Sequence, residues 1–229
     1  MNREELLRVA HSRLYPALTN PNYLVLRSRR LILAPLLEKL PDSLSVLDVG
    51  GRYQPYRPLL GTKSCKYYAL DLERTELVDV VGSGENIPFM DESFDLVIAT
   101  TVFDYFPRPH EAAKEVFRVL RPGGMLLASV GAVVPRFGEE EYWRYLPRGL
   151  RFLFAPFSRV TITPEVYSLG GLCRLLNLAL HDLSKPRLLK YVYSRTLCPI
   201  LNLLGVCLEK AHLTRNDRWA GNYTVAAQK

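Results

Sequence analysis

Between residues 45 and 130 short apolar runs alternate with longer amphipathic stretches, and this alternation limits the fold more than any other feature. The runs are Ser45-Val-Leu-Asp-Val49, Lys66-Tyr-Tyr-Ala-Leu70, Phe94-Asp-Leu-Val-Ile-Ala99 and Met125-Leu-Leu-Ala-Ser-Val130. Between the last two, His110 to Leu120 carries apolar residues three and four apart, and Arg121-Pro-Gly-Gly124 ends that stretch. Apolar runs of this length suit strands buried on both faces, and helices returning between them imply a parallel sheet. The expected fold is therefore α/β, a Rossmann-like doubly wound sheet with ligands at the carboxyl ends of the strands, near the switch in strand order.

The flanks elaborate one domain of 229 residues. Residues 1–40 read as two helical segments broken around Asn20-Pro21-Asn22. In the second, Leu24, Leu26, Leu31, Leu33, Leu36 and Leu37 form the apolar face, while Arg27, Arg29 and Arg30 face water. Residues 41–135 form the core, and 136–164 a lid and a strand (Arg159 to Thr163, closed by Pro164). Residues 165–221 are an insertion of helical period, and 222–229 the last strand.

Charge is unevenly placed. From Tyr142 onward there are 13 Lys and Arg against 4 Asp and Glu, whereas the rest of the chain is slightly acidic. An anionic partner should meet the C-terminal third, the alternative being a solvated basic surface. Cys65, Cys173, Cys198 and Cys207 share no CxxC spacing and read as buried thiols in a reducing compartment, with no metal site. The opening MNREELLRVAHSRL mixes charge through its first turns, so no secretory signal is expected there, and no stretch reaches the ~18 apolar residues of a spanning helix. The expected location is cytoplasmic.

The first strand runs into Gly50-Gly51, where the lack of a β-carbon lets a ligand approach the backbone. Arg52, Tyr53 and Gln54 follow, so this is not GxGxxG. The second strand ends in Asp71, an acid placed either to accept from ribose hydroxyls or to cap a helix. Together with Val80-Val-Gly-Ser-Gly-Glu-Asn-Ile-Pro-Phe-Met-Asp-Glu-Ser-Phe-Asp95 and Arg121-Pro-Gly-Gly124, these residues resemble the class I S-adenosylmethionine-dependent methyltransferases of the type 11-like, small-molecule and glycan-associated group. The resemblance runs from about Ser45 to Val130 and implies S-adenosylmethionine as cofactor. It implies that Asp48, Gly50 and Gly51 pass under its methionine part and that Asp71 takes the ribose. Ser83, Gly84 and Glu85 would stand beside adenine, and Thr100 and Thr101 would line the methionine end.

Two departures from the family pattern matter. Arg52 stands where a second motif glycine is usual, and Asp104-Tyr105 where many relatives have Glu-His. Without that histidine, Asp104 becomes the candidate base for a hydroxyl acceptor and Tyr105 a positioning or relay group. The alternative is that Asp104 caps the next turn and Tyr105 packs over the cofactor. Tyr142 and Trp143, in Glu141-Tyr-Trp-Arg-Tyr-Leu-Pro-Arg-Gly-Leu150, resemble a stretch of methyltransferases tied to cell-surface glycan or lipid-linked sugar synthesis. They either stack on a sugar ring or pack the lid onto the sheet.

The insertion sets Leu172 to Leu180 and Leu197 to Leu208 against Arg174, Lys185, Arg187, Lys190 and Arg195. That composition fits peripheral contact with the inner face of a membrane, a substrate cap or a dimer interface. The expected function is O-methylation of a small or lipid-linked glycan-type acceptor. A nucleic-acid methyltransferase is disfavoured because Thr100-Thr-Val-Phe-Asp-Tyr105 replaces an amine-methylation motif, and a non-catalytic scaffold on the same fold is the remaining alternative.

Overall fold

The computed structural model describes residues 1–184, 186–211 and 216–229. Two helices open the chain, α1 (Arg3–Leu14) and α2 (Tyr23–Glu38). The strands β1 (Ser43–Val49), β2 (Ser64–Asp71), β3 (Val80–Val81) and β4 (Phe94–Thr100) follow. Then come α3 (Pro109–Val119), β5 (Leu120–Gly131), α4 (Pro147–Leu153) and β6 (Arg159–Pro164). The insertion forms α5 (Ser168–Leu183), α6 (Arg187–Arg195) and α7 (Leu197–Lys210), and β7 (Asn222–Gln228) closes the sheet. Lys185, one of the basic residues noted in the insertion, lies outside the described residues.

The seven strands lie in the order β3-β2-β1-β4-β5-β7-β6. The first five are parallel, and β7 runs antiparallel to both β5 and β6. Strand periodicity sends alternate side chains to opposite faces. Leu47, Val49, Val97, Ala99, Leu126 and Ala128 pack with α3 and α4 on one side. Leu44, Val46, Leu96, Ile98 and Leu127 pack with Leu14, Leu33 and Leu37 of α1 and α2 on the other. The order turns at β1 and β4, so their carboxyl ends open the crevice expected of a doubly wound sheet.

Three details differ from the sequence reading. Arg121 to Gly124 does not separate α3 from its strand but lies within β5, whose pairing with β4 shifts between Phe94 and Leu96. Gly123, at φ +79°, turns the chain there, and the main chain of residues 123 and 124 pairs with Lys229. Of the four thiols only Cys173 and Cys198 are buried. Cys65 is half-buried and Cys207 exposed, because α7 turns that residue away from the body. On α2, Arg29, expected to face water, is buried, and Leu31, expected on the apolar face, is exposed.

Arg29 of α2 reaches the end of β6 and makes a two-point ion pair with Glu165, Nε to Oε1 at 2.9 Å and Nη2 to Oε2 at 3.0 Å. Ser129 of β5 and Thr224 of β7 donate to the same Oε1 at 2.5 and 3.0 Å, and Tyr56 accepts from Arg29 Nη1 at 3.4 Å. Both charges are buried. Removing one member of such a pair strands the other charge out of water. Glu165→Gln should therefore lower the unfolding free energy by about 3 kcal/mol in a urea titration. An unchanged midpoint would show that the pair does not join the helical cap to the sheet.

Candidate functional site

At the tip of β1 the amides of Gly50 and Gly51 both donate to the Leu70 carbonyl, at 2.8 and 3.1 Å, folding the turn against β2. Gly50 has φ +76°, and a β-carbon there would lie 2.9 Å from Val102 Cγ2. One on Gly51 would lie 2.7 Å from the Asp48 carbonyl. Sterics thus require both glycines, and the turn they make is bare backbone. Asp48 is buried beneath it, its Oδ2 accepting from the Tyr67 hydroxyl at 2.6 Å. Burial pushes the Asp48 carboxyl up to about 7; the Tyr67 bond opposes the rise and the nearby Asp71 adds to it.

Arg52 does not obstruct the turn. Its amide donates to Asp71 Oδ2 at 3.2 Å, and its guanidinium leans outward to pair with Glu73. The other Asp71 oxygen accepts from the Glu73 amide at 3.0 Å. Two backbone donors thus fix the plane of a half-buried carboxylate, and neither oxygen takes a second donor among the described residues. That donor chemistry suits a pair of vicinal hydroxyls.

The Ser83–Glu85 turn closes the same rim. A β-carbon on Gly84 would lie 2.6 Å from Phe106 Cζ and 2.9 Å from Val49 Cγ1, so this glycine lets the turn settle against the end of β1. Ser83 Oγ accepts from the Glu85 amide at 3.1 Å. The Glu85 carboxylate accepts from the Arg108 amide at 2.5 Å and pairs with that guanidinium at 3.6 Å, which anchors the start of α3. These two side chains therefore shape the turn.

At the end of β4, Thr101 takes φ +52°, which is uncommon for a β-branched residue. Its amide donates to the Ser129 carbonyl at 2.7 Å and its hydroxyl to the Thr100 carbonyl at 2.8 Å. This kink sets Val102 beneath Gly50 and starts the 3-10 turn Phe103–Tyr105. Asp104 in that turn is buried, and both of its carboxylate oxygens accept from the Gly131 amide at the end of β5, at 3.0 and 3.1 Å. Its carbonyl accepts from the Tyr142 and Trp143 amides at 2.8 and 3.2 Å. Burial raises the Asp104 carboxyl to about 6, against the opposing pull of the Gly131 bond and Arg144. Tyr105 is partly exposed, and burial, with Glu141 and Asp104 nearby, raises its hydroxyl above the usual value. Tyr142 and Trp143 both show wide faces to solvent, and the Trp143 indole donates to the Phe106 carbonyl at 2.8 Å.

Sequence reasoning missed several groups at this end of the sheet. Gln54, at φ +50°, is buried and donates to the Leu77 carbonyl. Tyr145 Oη donates to the Phe103 carbonyl at 2.9 Å and seats the lid. Arg174 of α5, expected among the basic residues facing outward from the insertion, is instead 3% exposed, and its Nε and Nη2 both donate to Asn22 Oδ1, at 3.2 and 2.9 Å. Its Nη1 has no hydrogen-bond partner among the described residues, and a β-carbon on Gly221 would come within 2.5 Å of it. Burial lowers the Arg174 guanidinium to about 10. A lone glycine at 221 and an arginine on a leucine-rich helix carry no sequence signal for such a meeting.

Residues 47–128 match the family model described as a methyltransferase domain. An uncharacterised methyltransferase of Mycobacterium sp. (strain JLS) is 28% identical over 114 residues, 45% of this chain and 45% of that relative. The match thus spans less than half the relative's length. A SAM-dependent methyltransferase structure from Archaeoglobus fulgidus superposes with TM-score 0.55 at 13% identity, covering 92% of this chain and 95% of that one. Phosphoethanolamine N-methyltransferase 2 of Haemonchus contortus, in complex with S-adenosyl-L-methionine, superposes with TM-score 0.56 at 14% identity, covering 87% and 51%. At these identities the likeness establishes the fold. Residues 47–128 are thus similar to a methyltransferase domain, and the whole chain has the Rossmann-like α/β sheet of these solved structures. The Haemonchus structure holds S-adenosyl-L-methionine, and the bare glycine turn with the oriented Asp71 carboxylate fits that group as a cofactor.

Two outcomes are expected. Asp71→Ala should weaken S-adenosylhomocysteine binding by ~1–3 kcal/mol in a calorimetric titration, through lost hydrogen bonds to a charged group. An unchanged dissociation constant would remove Asp71 from the ligand site. The folded chain holds the Asp48 proton more tightly than the unfolded one, at about 7 against 3.8. This group therefore costs stability as the pH rises across that interval. Asp48→Asn should flatten the fall in melting temperature over the same range, and an identical slope in the variant would refute the assignment.

Proposed function

We propose that the protein is an S-adenosylmethionine-dependent methyltransferase that acts on a hydroxyl of a small or lipid-linked glycan-type acceptor. When bound, the cofactor supplies a methyl group already activated on a sulfonium centre. In this reading Gly50 and Gly51 lie under its methionine part and Asp48 supports the turn from below. Asp71 takes the ribose hydroxyls, the Ser83–Glu85 turn flanks the base, and Thr100 and Thr101 line the methionine end.

The observation that carries the acceptor assignment is the desolvated carboxylate of Asp104, raised to about 6 and held on the Gly131 amide. A hydroxyl is a poor nucleophile until its proton begins to leave, and a fixed base with raised proton affinity assists that departure. At neutral pH Asp104 is ionised and each oxygen retains lone pairs beyond the Gly131 contact. Tyr105, partly exposed beside it, orients the hydroxyl, while Tyr142 and Trp143 offer aromatic faces on which a sugar ring can stack. Burial of Arg174 takes an arginine out of the basic C-terminal surface, which weakens a nucleic-acid reading.

The test is transfer of labelled methyl from S-adenosylmethionine to sugars and lipid-linked sugars. Asp104→Asn keeps an acceptor for the Gly131 amide but removes the base. It should lower kcat at least about 100-fold with little change in cofactor affinity. The wild-type rate should climb with pH through about 6 as Asp104 ionises, and that limb should vanish in the variant. Unchanged turnover would place the base elsewhere.

A further inference from the structure

The three insertion helices are two-faced. On α7, Cys198, Asn202 and Gly205 turn inward, whereas Ile200, Leu203 and Leu204 on the opposite arc are exposed. On α5, Cys173, Arg174 and Asn177 turn inward and Leu172, Leu176 and Leu183 outward. On α6 only Tyr193 is buried. Leu188, the most exposed of these at 75%, shares its arc with Tyr191 and Arg195 at helical spacing. So many large apolar side chains on adjoining helices exceed what scattered surface residues account for.

The inward faces are fastened by hydrogen bonds. Asn177 Nδ2 donates to Asn202 Oδ1 at 2.9 Å, and the Tyr193 hydroxyl donates to the Asn177 carbonyl at 2.9 Å. Asn202 Nδ2 donates to the carbonyls of Leu18 and Asn20 at 2.7 and 3.0 Å. Contrary to the expectation from sequence, the span Arg187–Lys210 is long and apolar enough, by length and composition alone, to cross a bilayer. Crossing would tear Asn202 from these partners and put unpaired amides into hydrocarbon. The helices are therefore built to lie along a surface, with one face on the protein and the other on whatever covers it.

The charges on this face select the occupant. Arg187, Lys190 and Arg195 on α6 are all exposed, as is Lys210 at the end of α7, and the exposed acid among the described residues of these helices is Asp182. A second copy meeting this face about a two-fold axis would bring like charges together. An anionic lipid surface instead takes the leucines among its acyl chains and the cations among its headgroups. We propose that the outward face of α5, α6 and α7 docks the protein on an anionic membrane surface, with Ile200, Leu203, Leu204 and Leu188 inserted and Arg187 and Arg195 on the headgroups.

The test is vesicle co-sedimentation with the full chain. Phosphatidylcholine vesicles are compared with vesicles in which about one third of the lipid is phosphatidylglycerol. The wild-type protein should sediment with the anionic vesicles and be released by high salt. Ile200→Ser with Leu204→Ser should weaken partitioning at least about tenfold. Arg187→Ala with Arg195→Ala should weaken it by a similar factor on anionic vesicles alone. Circular dichroism and melting temperature establish that each variant is folded. Failure of the wild type to bind anionic vesicles at low salt would overturn the proposal. So would a concentration-dependent dimer, seen by sedimentation velocity, that the Ile200 and Leu204 replacements dissolve.

Discussion

The Arg29–Glu165 pair is the joint that ties the helical cap to the sheet. One carboxylate oxygen receives Arg29, Ser129 and Thr224 at once, so α2, β5, β7 and the end of β6 are fixed relative to one another through a single group. Two charges taken out of water repay that cost only when their remaining hydrogen-bonding capacity is filled, and here Ser129 of β5, Thr224 of β7 and Tyr56 contribute to filling it. Burial alone would lower the proton affinity of Arg29, but Glu165 outweighs it and holds the guanidinium firmly charged. The chain beyond β6 then enters α5 in a defined direction, which brings Arg174 to Asn22 at the start of α2. The insertion is thus registered on the N-terminal helices as much as on the sheet.

The central sheet was legible because strands buried on both faces must be apolar throughout, and helices between them must be apolar on one side. Ser45 to Val49 and Phe94 to Ala99 announce themselves on that ground. The order in which strands pair is legible only in outline, since β7 entering between β5 and β6 depends on a reversal that no local pattern records. The glycine turn and Asp71 were legible as residue types, but the path of Arg52 was not. Its amide serves Asp71 and its side chain leaves the site along Glu73, which no local sequence rule encodes. Arg29 read as a solvent-facing residue on helical periodicity, whereas its partner stands 136 positions away and draws it inside. Long-range pairing of charges is the information that periodicity lacks.

Asp104 carries a structural role on the same carboxylate that the proposed reading uses as a base. Both oxygens hold the Gly131 amide, and its carbonyl holds two amides of the lid, so the turn after β4, the end of β5 and the Tyr142-Trp143 segment share one anchor. The same burial that makes this anchor geometrically firm also raises its proton affinity. The helix-cap alternative drawn from sequence placed Asp104 on its own local turn. In the fold its carboxylate instead reaches across to a different strand. The positive φ of Thr101 makes that reach possible by redirecting the chain at the end of β4, a strain held in place by the hydrogen bond that the Thr101 amide donates to the Ser129 carbonyl.

The helix α5 connects the two ends of this chemistry. Its inward arc carries Arg174, sealed against Gly221 and Asn22 beside the Arg29–Glu165 joint. Its outward arc carries Leu172, Leu176 and Leu183 into solvent. A rigid helix with both faces committed cannot tilt to satisfy one without disturbing the other. Its tie to α7 through Asn177 and Asn202, and from there to the Leu18 and Asn20 carbonyls, removes the freedom to swing as a hinged flap. Whatever occupies the outward face is therefore held at a fixed position relative to the carboxyl end of β5 and the amino end of β7. A lipid-linked acceptor held at that face would need no lid movement for its position relative to the sheet to be defined, since the distance is already set by α5.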